Sequence, residues 1–248
     1  MDEKLVIPLF VLSQGIFPSS KEPLRVFEPR YKQMLDDCVM DDLPFGFIAA
    51  NVNSELIDGW TPPCDYGVLS NAENISEQGT NLLFLANGKK RFRINEIIPA
   101  ALPSEEFDDV FPSVDELVEQ YIEEFPNGKL YLRAEIEILQ ELKGEIEQKR
   151  WEDFILSWSK HIFDMNLVFG GNPIDSENLS QMMIKEFTPY SELKLWDVCN
   201  SVLDTNDIRQ KALCASDSEE IIDILETNLK WKDAQMRYIN GLVYNEEE

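Results

Sequence analysis

The sequence predicts an α+β protein whose first part is rich in β-strands and whose last part is helical. Residues 1–100 contain short apolar runs separated by Gly, Pro and Asn, a pattern typical of strands and turns. From about residue 145 onward, apolar residues recur at helical spacing instead. We therefore predict two domains, a β-rich part over 1–145 and a helical bundle over 146–248.

Apolar runs predict the strands of the first part. They are Leu5–Phe10, Leu24–Phe27, Phe45–Ala50, Tyr66–Ser76, Asn81–Ala86, Arg91–Ile98 and Leu130–Leu139. The last run alternates apolar and polar residues, which predicts a half-buried strand. The dipeptide Asn87-Gly88 stands between two of the runs and predicts a hairpin turn there.

The stretch from Glu28 to Met40 predicts a helix in the β-rich part. Pro29 suits its first position, because the amide hydrogen that proline lacks would have no partner there. Apolar side chains at helical spacing predict one buried face. They are Tyr31, Met34, Leu35, Cys38 and Val39.

An acidic insertion at about 101–128, bounded by prolines, interrupts the strands. Its apolar residues between Val114 and Ile122 repeat at helical spacing, so we predict a short amphipathic helix within it. A connection of this length is either functional or a packed decoration, and the sequence leaves both alternatives open.

The last part predicts a series of amphipathic helices. The first covers Trp151 to Met165 and ends at a Gly-Gly-Asn-Pro segment. A second covers Glu177 to Phe187, and Thr188 before Pro189 predicts the start of a third. A short helix follows at Ile208–Leu213, and Ser216–Glu219 resembles a capping box that opens a long final helix.

The net charge of −25 is the second strong feature of the sequence. Residues 1–100 hold 9 basic and 14 acidic residues, whereas residues 101–248 hold 13 and 33. So negative a surface repels phosphate backbones, which disfavours nonspecific nucleic-acid binding. A charge excess alone specifies no ligand.

Composition also predicts a cytoplasmic protein without a membrane partner. No stretch approaches the roughly 20 apolar residues that a membrane span needs. The start, Met1–Lys4, is acidic and lacks the pattern of a signal peptide. The four cysteines match no zinc or disulfide spacing, so we predict buried apolar thiols.

The sequence offers little for catalysis. His161 is the one histidine, and no nucleophile motif accompanies it. A histidine-based metal site needs several clustered ligands, and no phosphate-binding loop is present. We therefore predict no enzyme activity, no catalytic residue, no metal and no cofactor.

The basic cluster Lys89–Arg93 leaves two alternatives. Basic residues beside an aromatic ring suit nucleic-acid binding. In a strand, however, Arg91 and Arg93 would share one face while Phe92 points into the core. The second alternative also allows one arginine to pair with a buried acid.

Several segments, in order, resemble those of the LON domain, the substrate-binding amino-terminal domain of the ATP-dependent protease Lon. They are Pro8–Leu12, Phe17-Pro18, Pro23–Tyr31, Phe45-Gly46, Tyr66–Val68 and Gly88–Arg93. The resemblance is specific up to residue 100 and looser beyond. Val11 departs from it, because proline is usual at that position.

The resemblance implies a PUA-like β pseudo-barrel followed by a C-terminal α-helical bundle. It also implies a non-enzymatic polypeptide-recognition module in a stand-alone form, without ATPase or protease domains. Its partner would be unfolded polypeptide or another protein, held by an apolar patch between barrel and helices. A PUA-like RNA-binding module is the alternative. The sequence predicts no oligomeric state.

The resemblance implies mainly structural roles for the motif residues. They are Pro8, Phe10, Pro18, Phe27, Glu28, Arg30, Tyr31, Gly46, Gly67, Arg91 and Phe92. We predict a buried ionic cluster of Glu28, Arg30 and either Arg91 or Arg93. Trp60, in a polar loop beside two prolines, is a candidate polypeptide-binding residue. It forms either an exposed apolar tip or part of a loop packed on the barrel.

Overall fold

A computed structural model describes residues 5–107 and 112–245, with side chains as far as Tyr238. The acidic start, Met1–Lys4, lies outside the described residues. The chain divides into two compact units, Met1–Gln140 and Glu141–Glu248. The domain boundary expected between residues 145 and 146 stays a prediction.

The first unit combines one six-stranded sheet with short helices. Its strands are β1 (Leu5–Leu12), β2 (Lys21–Val26), β3 (Phe45–Ala50), β4 (Pro63–Gln78), β5 (Asn81–Ile98) and β6 (Arg133–Ile138). Its helices are α1 (Pro29–Met40) and α2 (Val114–Tyr121), with a single 3-10 turn at Ser104–Phe107. The predicted helix within the insertion is confirmed as α2, which opens with a capping box between Ser113 and Glu116.

The long strand β5 closes the sheet into a barrel. The strand order is β2-β5-β4-β3-β1-β6, and β5 pairs with β6 as well. Along one edge β5 pairs with β4; along the other it pairs first with β2 and then with β6. Because β6 also pairs with β1, the ring is complete. Closure leaves few strand edges open to other chains.

Strand β1 is buried on both of its faces. Ile7 and Leu9 belong to the apolar cluster inside the barrel. Phe10 points to the opposite face of the strand and packs edge-on against Tyr31 of α1, with the ring centroids 4.4 Å apart. The Tyr31 hydroxyl donates to the Val11 carbonyl at 2.8 Å. β1 pairs in parallel with β3, and burial on both faces explains its continuous apolar sequence.

The predicted hairpin turn at Asn87-Gly88 is wrong. Gly88 lies inside the β4–β5 ladder, opposite Ser70, and the turn is formed by Gly79 and Thr80. Gly79 has a φ of +62°, which suits glycine. At Gly88 a Cβ would lie 2.9 Å from the Phe17 carbonyl oxygen, so glycine here permits a close backbone approach.

The second unit is helical, as predicted. Its helices are α3 (Gln148–Val168), α4 (Ser176–Phe187), α5 (Glu192–Val202), α6 (Asn206–Cys214) and α7 (Ser218–Asn245). The predicted helix start at Thr188 is wrong. Thr188 ends α4, where its N–H donates to the Ile184 carbonyl at 3.0 Å. Ser191 caps α5 instead, accepting from the Lys194 N–H.

A charged network joins α3 to α7 in this acidic unit. The Arg150 guanidinium donates to the carboxylates of Glu219, Asp223 and Glu226. Hydrogen bonds to Glu226 and Asp223 are the main reason that the pKa of Arg150 is raised. One arginine therefore offsets part of the repulsion among three acids.

The cysteine prediction is right in part. Cys38 and Cys199 are buried, Cys64 is half-buried and Cys214 is exposed. Burial raises the pKa of the Cys38 thiol to about 12, with further increases from Asp37 and Asp41. Among the described helices, none combines the length and apolar character that crossing a membrane requires.

Candidate functional site

The start of α1 carries a compact group of charged and aromatic side chains. Arg30 Nε donates to Glu28 Oε2 at 2.8 Å. The Arg30 guanidinium lies 4.2 Å from the ring centroids of both Tyr31 and Trp60. The Trp60 indole N–H donates to the Leu102 carbonyl at 3.1 Å. The loop that carries Trp60 is thereby tied to α1 and to the insertion.

Trp60 packs between two apolar clusters. It contacts the interior cluster of the barrel and the cluster of the insertion, where its ring meets Phe107 edge-on at 4.8 Å. Of the two alternatives for Trp60, the structure therefore has the loop packed on the barrel. A part in polypeptide binding stays a prediction.

The segment that directly follows the insertion is also fixed to α1 by side chains. Gln33 Oε1 accepts from the Leu130 N–H at 2.7 Å, and Asp37 accepts from the Tyr131 hydroxyl at 2.7 Å. Lys129 Nζ lies 2.8 Å from the Asp37 carboxylate. Within the insertion, the Tyr121 hydroxyl accepts from Gln33 Nε2 at 3.2 Å, so α2 is held against α1 as well.

A small open groove lies at the opposite end of α1. We call it the α1–β4 groove; it has a volume of about 320 Å³. Its lining residues are Cys38, Val39, Asp42, Leu43, Asn71, Ala72, Asn74 and Ile75. Three of them are apolar and well exposed: Val39 at 60%, Leu43 at 46% and Ile75 at 39%. Such side chains on neighbouring elements form a surface that can lose water against a partner.

A β-bulge places Ile75 in the groove. Glu73 pairs with Leu85 and Ser76 with Leu83, so two residues of β4 oppose the single residue Phe84 of β5. Asn74, in the bulge, has a φ of +55°, a conformation that Asn tolerates better than most residues. The bulge turns the next side chain, Ile75, outward. The sequence contains no local signal for this bulge, because it depends on strand pairing.

Acidic residues stand on and near the lining of the α1–β4 groove. Asp42 lines it, and four more carboxylates stand within two residues of a lining residue along α1, its following turn or β4. The four are Asp36, Asp41, Glu73 and Glu77. Partial burial, followed by repulsion from Asp37 and Glu77, raises the pKa of Asp36. The groove thus combines apolar side chains with a negative rim, which favours a partner that is both apolar and basic.

The comparisons with known proteins identify the family. The profile of the ATP-dependent protease La (LON) substrate-binding domain matches residues 6–229. The chain belongs to this family. Among solved structures, it is similar to a Lon N-terminal domain protein from Xanthomonas campestris. The sequence identity is 19%, the TM-score is 0.54, and the match covers 92% of this chain and 98% of that chain.

A second similar structure is the N-terminal domain of the Lon protease from the Mycobacterium avium complex. The sequence identity is 10% and the TM-score is 0.53, again covering 92% of this chain and 98% of that chain. At these identities the solved structures establish the fold, and the predicted α+β class is confirmed. A search of curated proteins finds no match to this chain.

Two motif glycines of the LON family make room for Phe92 inside the barrel. A Cβ on Gly67 would lie 2.5 Å from Phe92 Cζ, and a Cβ on Gly46 would lie 2.7 Å from the same atom. Phe92 is fully buried in the barrel cluster. The two glycines stand on adjacent strands, β3 and β4, so the ring lies against bare backbone on both.

The predicted ionic cluster is right for Glu28 and Arg30, which form a partly buried pair, and wrong in adding Arg91 or Arg93 to it. Arg93 pairs with Glu137 across β5 and β6 at 2.9 Å, and both side chains are about half exposed. Arg91 is buried and donates to the Gln140 carbonyl at 2.8 Å. Val26, two residues before Glu28, pairs with Leu82 of β5. Arg91 lies nine residues further along that strand. Strand geometry therefore separates these arginines from the pair at the start of α1.

Other LON motif residues occupy different environments. Pro8, Phe10 and Pro18 are buried, in keeping with structural roles. Phe27, by contrast, is 49% exposed, so it does not fill the core. In the basic cluster, Lys89 and Lys90 are exposed, whereas Arg91 is buried. Only part of that cluster is available at the surface.

His161 lies in the helical unit, on α3. Its Nδ1 is 2.5 Å from Asp233 Oδ1. Two serine hydroxyls on the same helix make hydrogen bonds to other groups. The Ser157 hydroxyl donates to the Asp153 carbonyl, and the Ser159 and Ser180 hydroxyls share a hydrogen bond. Within 5–107 and 112–245, no group of three or more His, Cys, Asp or Glu side chains is placed to hold a metal ion.

Sequence reasoning missed the residues of the α1–β4 groove. It assigned Val39 to the buried face of α1, and that assignment is wrong because the side chain is mostly exposed. Val39 lies at the last turn of the helix, beyond the part covered by the barrel. The predicted location of the binding patch, between barrel and helices, stays a prediction.

Proposed function

We propose that this protein binds unfolded or partly unfolded polypeptide through the α1–β4 groove. The family is a substrate-binding domain of a protease, which supports a protein ligand. One observation carries the proposal: Val39, Leu43 and Ile75, from a helix, a turn and a bulge, expose apolar surface to the same hollow. An unfolded segment offers the apolar side chains that could cover them.

The expected affinity is modest. Removing apolar surface from water contributes about 25 cal/mol per Å², so covering three such side chains contributes a few kcal/mol. The peptide buries a similar apolar area of its own, and because association costs about 4 kcal/mol or more, the net free energy of binding is only about −4 kcal/mol, a dissociation constant near 1 mM. Such binding is reversible, and a recognition module that passes on its ligand needs reversibility.

The acidic rim adds selectivity. Basic residues flanking an apolar segment would approach Asp36, Asp42 and Glu77, and acidic segments would be repelled. The attraction should weaken in salt, because charges at a protein surface are screened over about 8 Å at physiological ionic strength. The same charge argues against RNA as the ligand.

We further propose that binding uses no nucleotide, cofactor or covalent step. In the groove itself, Cys38 is the nucleophilic side chain, and its raised pKa keeps the thiol protonated at neutral pH. A protonated thiol is a poor nucleophile. A cytoplasmic location remains part of this proposal.

The test is a binding titration with a labelled peptide in which three leucines are flanked by lysines. Ile75→Ser should weaken binding about tenfold, since it removes roughly 1.4 kcal/mol of apolar contact. Leu56→Ser is the matched control, because Leu56 is 62% exposed in the loop before Trp60 and does not line the groove. ATP should change neither affinity.

Two outcomes would contradict the proposal. One is an Ile75→Ser variant that binds the peptide as tightly as wild type and the Leu56→Ser control. The other is ATP turnover stimulated by the peptide. A peptide with serines in place of the leucines should bind at least tenfold more weakly, which checks that apolar contact provides the affinity.

A further inference from the structure

A second hollow in the barrel unit, of about 520 Å³, lies where the segment after β5 meets the end of the insertion. Pro99 and Pro126 form part of its apolar wall. Phe125 also lines it and is 58% exposed. Two charged residues, Glu124 and Arg133, also line the hollow.

Arg133 has an unusual environment in this chain. Its Nε–H is buried and has no hydrogen-bond partner within the described part of the protein. Other arginines in sheltered positions have acceptors: Arg30 has Glu28, and Arg209 donates to the Leu203 carbonyl at 2.7 Å. With 47 acidic residues against 22 basic ones, a partly buried arginine lacking an acceptor is unexpected. That nitrogen is shielded from solvent, so an acceptor from outside the chain would meet the remaining N–H groups of the guanidinium on the wall of the hollow.

The walls decide which kind of acceptor fits. Arg133 is the cation among the lining residues, Asn127 adds an uncharged amide donor, and Pro99 and Pro126 supply no N–H. Glu124 on the same wall disfavours a multiply charged anion such as phosphate. A singly charged carboxylate attached to an apolar group fits both the arginine and the exposed ring of Phe125. Arginine donates to carboxylates through two parallel N–H groups.

We propose that this hollow binds the C-terminal carboxylate of a polypeptide, with the last side chain against Phe125. The inference rests on the proposed function, because it takes the ligand to be a polypeptide, and it adds a class of substrate: chains with an accessible C-terminus. Every linear chain carries this one carboxylate, including the basic chains that the acidic rim favours. An internal Asp or Glu could present the same group, and the experiment separates the two sources.

The first experiment uses small probes and the whole protein. N-acetyl-leucine should shift one arginine Nε–H resonance in an NMR spectrum, whereas N-acetyl-leucinamide should not. The shifting resonance should be absent in Arg133→Gln and present in Arg25→Gln, an exposed control. A spectrum in which N-acetyl-leucine moves no Nε–H resonance, or moves one that persists in Arg133→Gln, would overturn the proposal.

The second experiment compares three labelled peptides. Two share one sequence and end in a free acid or in an amide, and the third is an amide whose last residue is replaced by Glu. Wild type should bind the free acid about tenfold more tightly than either amide. This ratio should fall to about one in Arg133→Gln and to an intermediate value in Arg133→Lys, which keeps the charge but not the planar fork. Glu124→Gln should raise it.

The result distinguishes this inference from the proposed function. Ile75→Ser should weaken the free acid and the amide equally and leave their ratio unchanged. Equal affinity for free acid and amide would overturn the carboxylate hollow while the α1–β4 groove stands. Equal affinity for the free acid and the Glu-terminated amide would overturn the choice of a chain end. Unchanged melting temperatures for the Arg133 variants would show that the ratio reports binding.

Discussion

Along the β4–β5 hairpin, one place buries an apolar side chain and another leaves an apolar side chain partly exposed. Where Gly67 faces Phe92, pairing is regular and the ring is fully buried against glycine backbone. Where Asn74 and Ile75 oppose a single residue, pairing is irregular and Ile75 remains 39% exposed. The other register shift of this hairpin, between Val68 and Ser70, leaves Leu69 buried, so an irregular register exposes an apolar side chain only where no other element packs over it.

The largest expected effect is at the regular place. Gly67→Val would bring methyl groups into the space occupied by Phe92 Cζ, only 2.5 Å from the new Cβ. We expect about 3 kcal/mol of destabilisation, or a fall of roughly 6 to 12 °C in melting temperature. Thermal unfolding followed by circular dichroism measures it. Phe92→Leu in the Gly67→Val background should recover part of the loss, because it removes the Cζ atom that the new Cβ meets.

The second effect concerns Trp60, which lies in the packed part of the unit. Trp60→Ala should cost about 2 to 3 kcal/mol, since it empties the space between two apolar clusters. Trp60→Phe should recover much of this stability while losing the hydrogen bond to Leu102. Denaturant titration gives both values. If Trp60→Phe weakened peptide binding fivefold or more, Trp60 would belong to the binding surface and the contrast with the α1–β4 groove would fail.

The third effect concerns the ion pair at the start of α1. Glu28→Ala leaves Arg30 stacked on two rings but without its carboxylate. Because the Glu28 side chain is 27% exposed, we expect only about 1 kcal/mol, or roughly 2 to 4 °C in melting temperature. Glu22→Ala, at an exposed position in β2, is the control. A loss of 3 kcal/mol or more would indicate a more deeply buried cluster than the structure describes.

The smallest effect lies at the rim of the α1–β4 groove. The pKa of Asp36 is raised above its usual value, so its ionised form destabilises the fold at neutral pH. As pH falls through the raised pKa, the folded protein takes up the proton first and this destabilisation disappears below about pH 4. Because Asp36 is exposed and solvent screens its charge, Asp36→Asn should stabilise only slightly at pH 7, by at most about 0.5 kcal/mol, and by less at pH 4.

Melting curves at pH 7 and pH 4 test the Asp36 prediction, with Asp65→Asn as an exposed control on β4. The same variant should weaken binding of the basic peptide at low salt, because a rim charge is removed. Equal gains in stability at both pH values would show that Asp36 does not titrate as described.

Most of the fold follows from local patterns in the sequence. The helical stripe of α1 and the alternation before Ile138 each predict their elements, because burial on one face fixes the spacing of apolar residues. Asn87-Gly88 misled for a physical reason: the dipeptide suits a tight turn, but it equally suits a strand position crossed by another backbone segment. Thr188 misled in a similar way, since a hydroxyl before proline suits both the end of one helix and the start of the next.

The candidate site was much less predictable than the fold. Ile75 reaches the groove through a bulge that exists only once β4 and β5 are paired. Arg133 stands in a strand whose residues alternate between apolar and polar, and only the folded surroundings show that its Nε–H has no acceptor among residues 5–107 and 112–245. Both features depend on contacts between segments distant in sequence, which periodicity and spacing do not report.

One hydrogen bond, from the Ala101 N–H to the Lys129 carbonyl at 2.8 Å, holds the two ends of the insertion together. The two ends of the insertion are therefore held close together whatever number of residues lies between them. Chain-closure entropy rises only slowly, by about 0.6 kcal/mol for each doubling of loop length. Natural variation or deliberate grafting could lengthen this excursion at little thermodynamic cost, provided that the segment packed beneath Trp60 is kept.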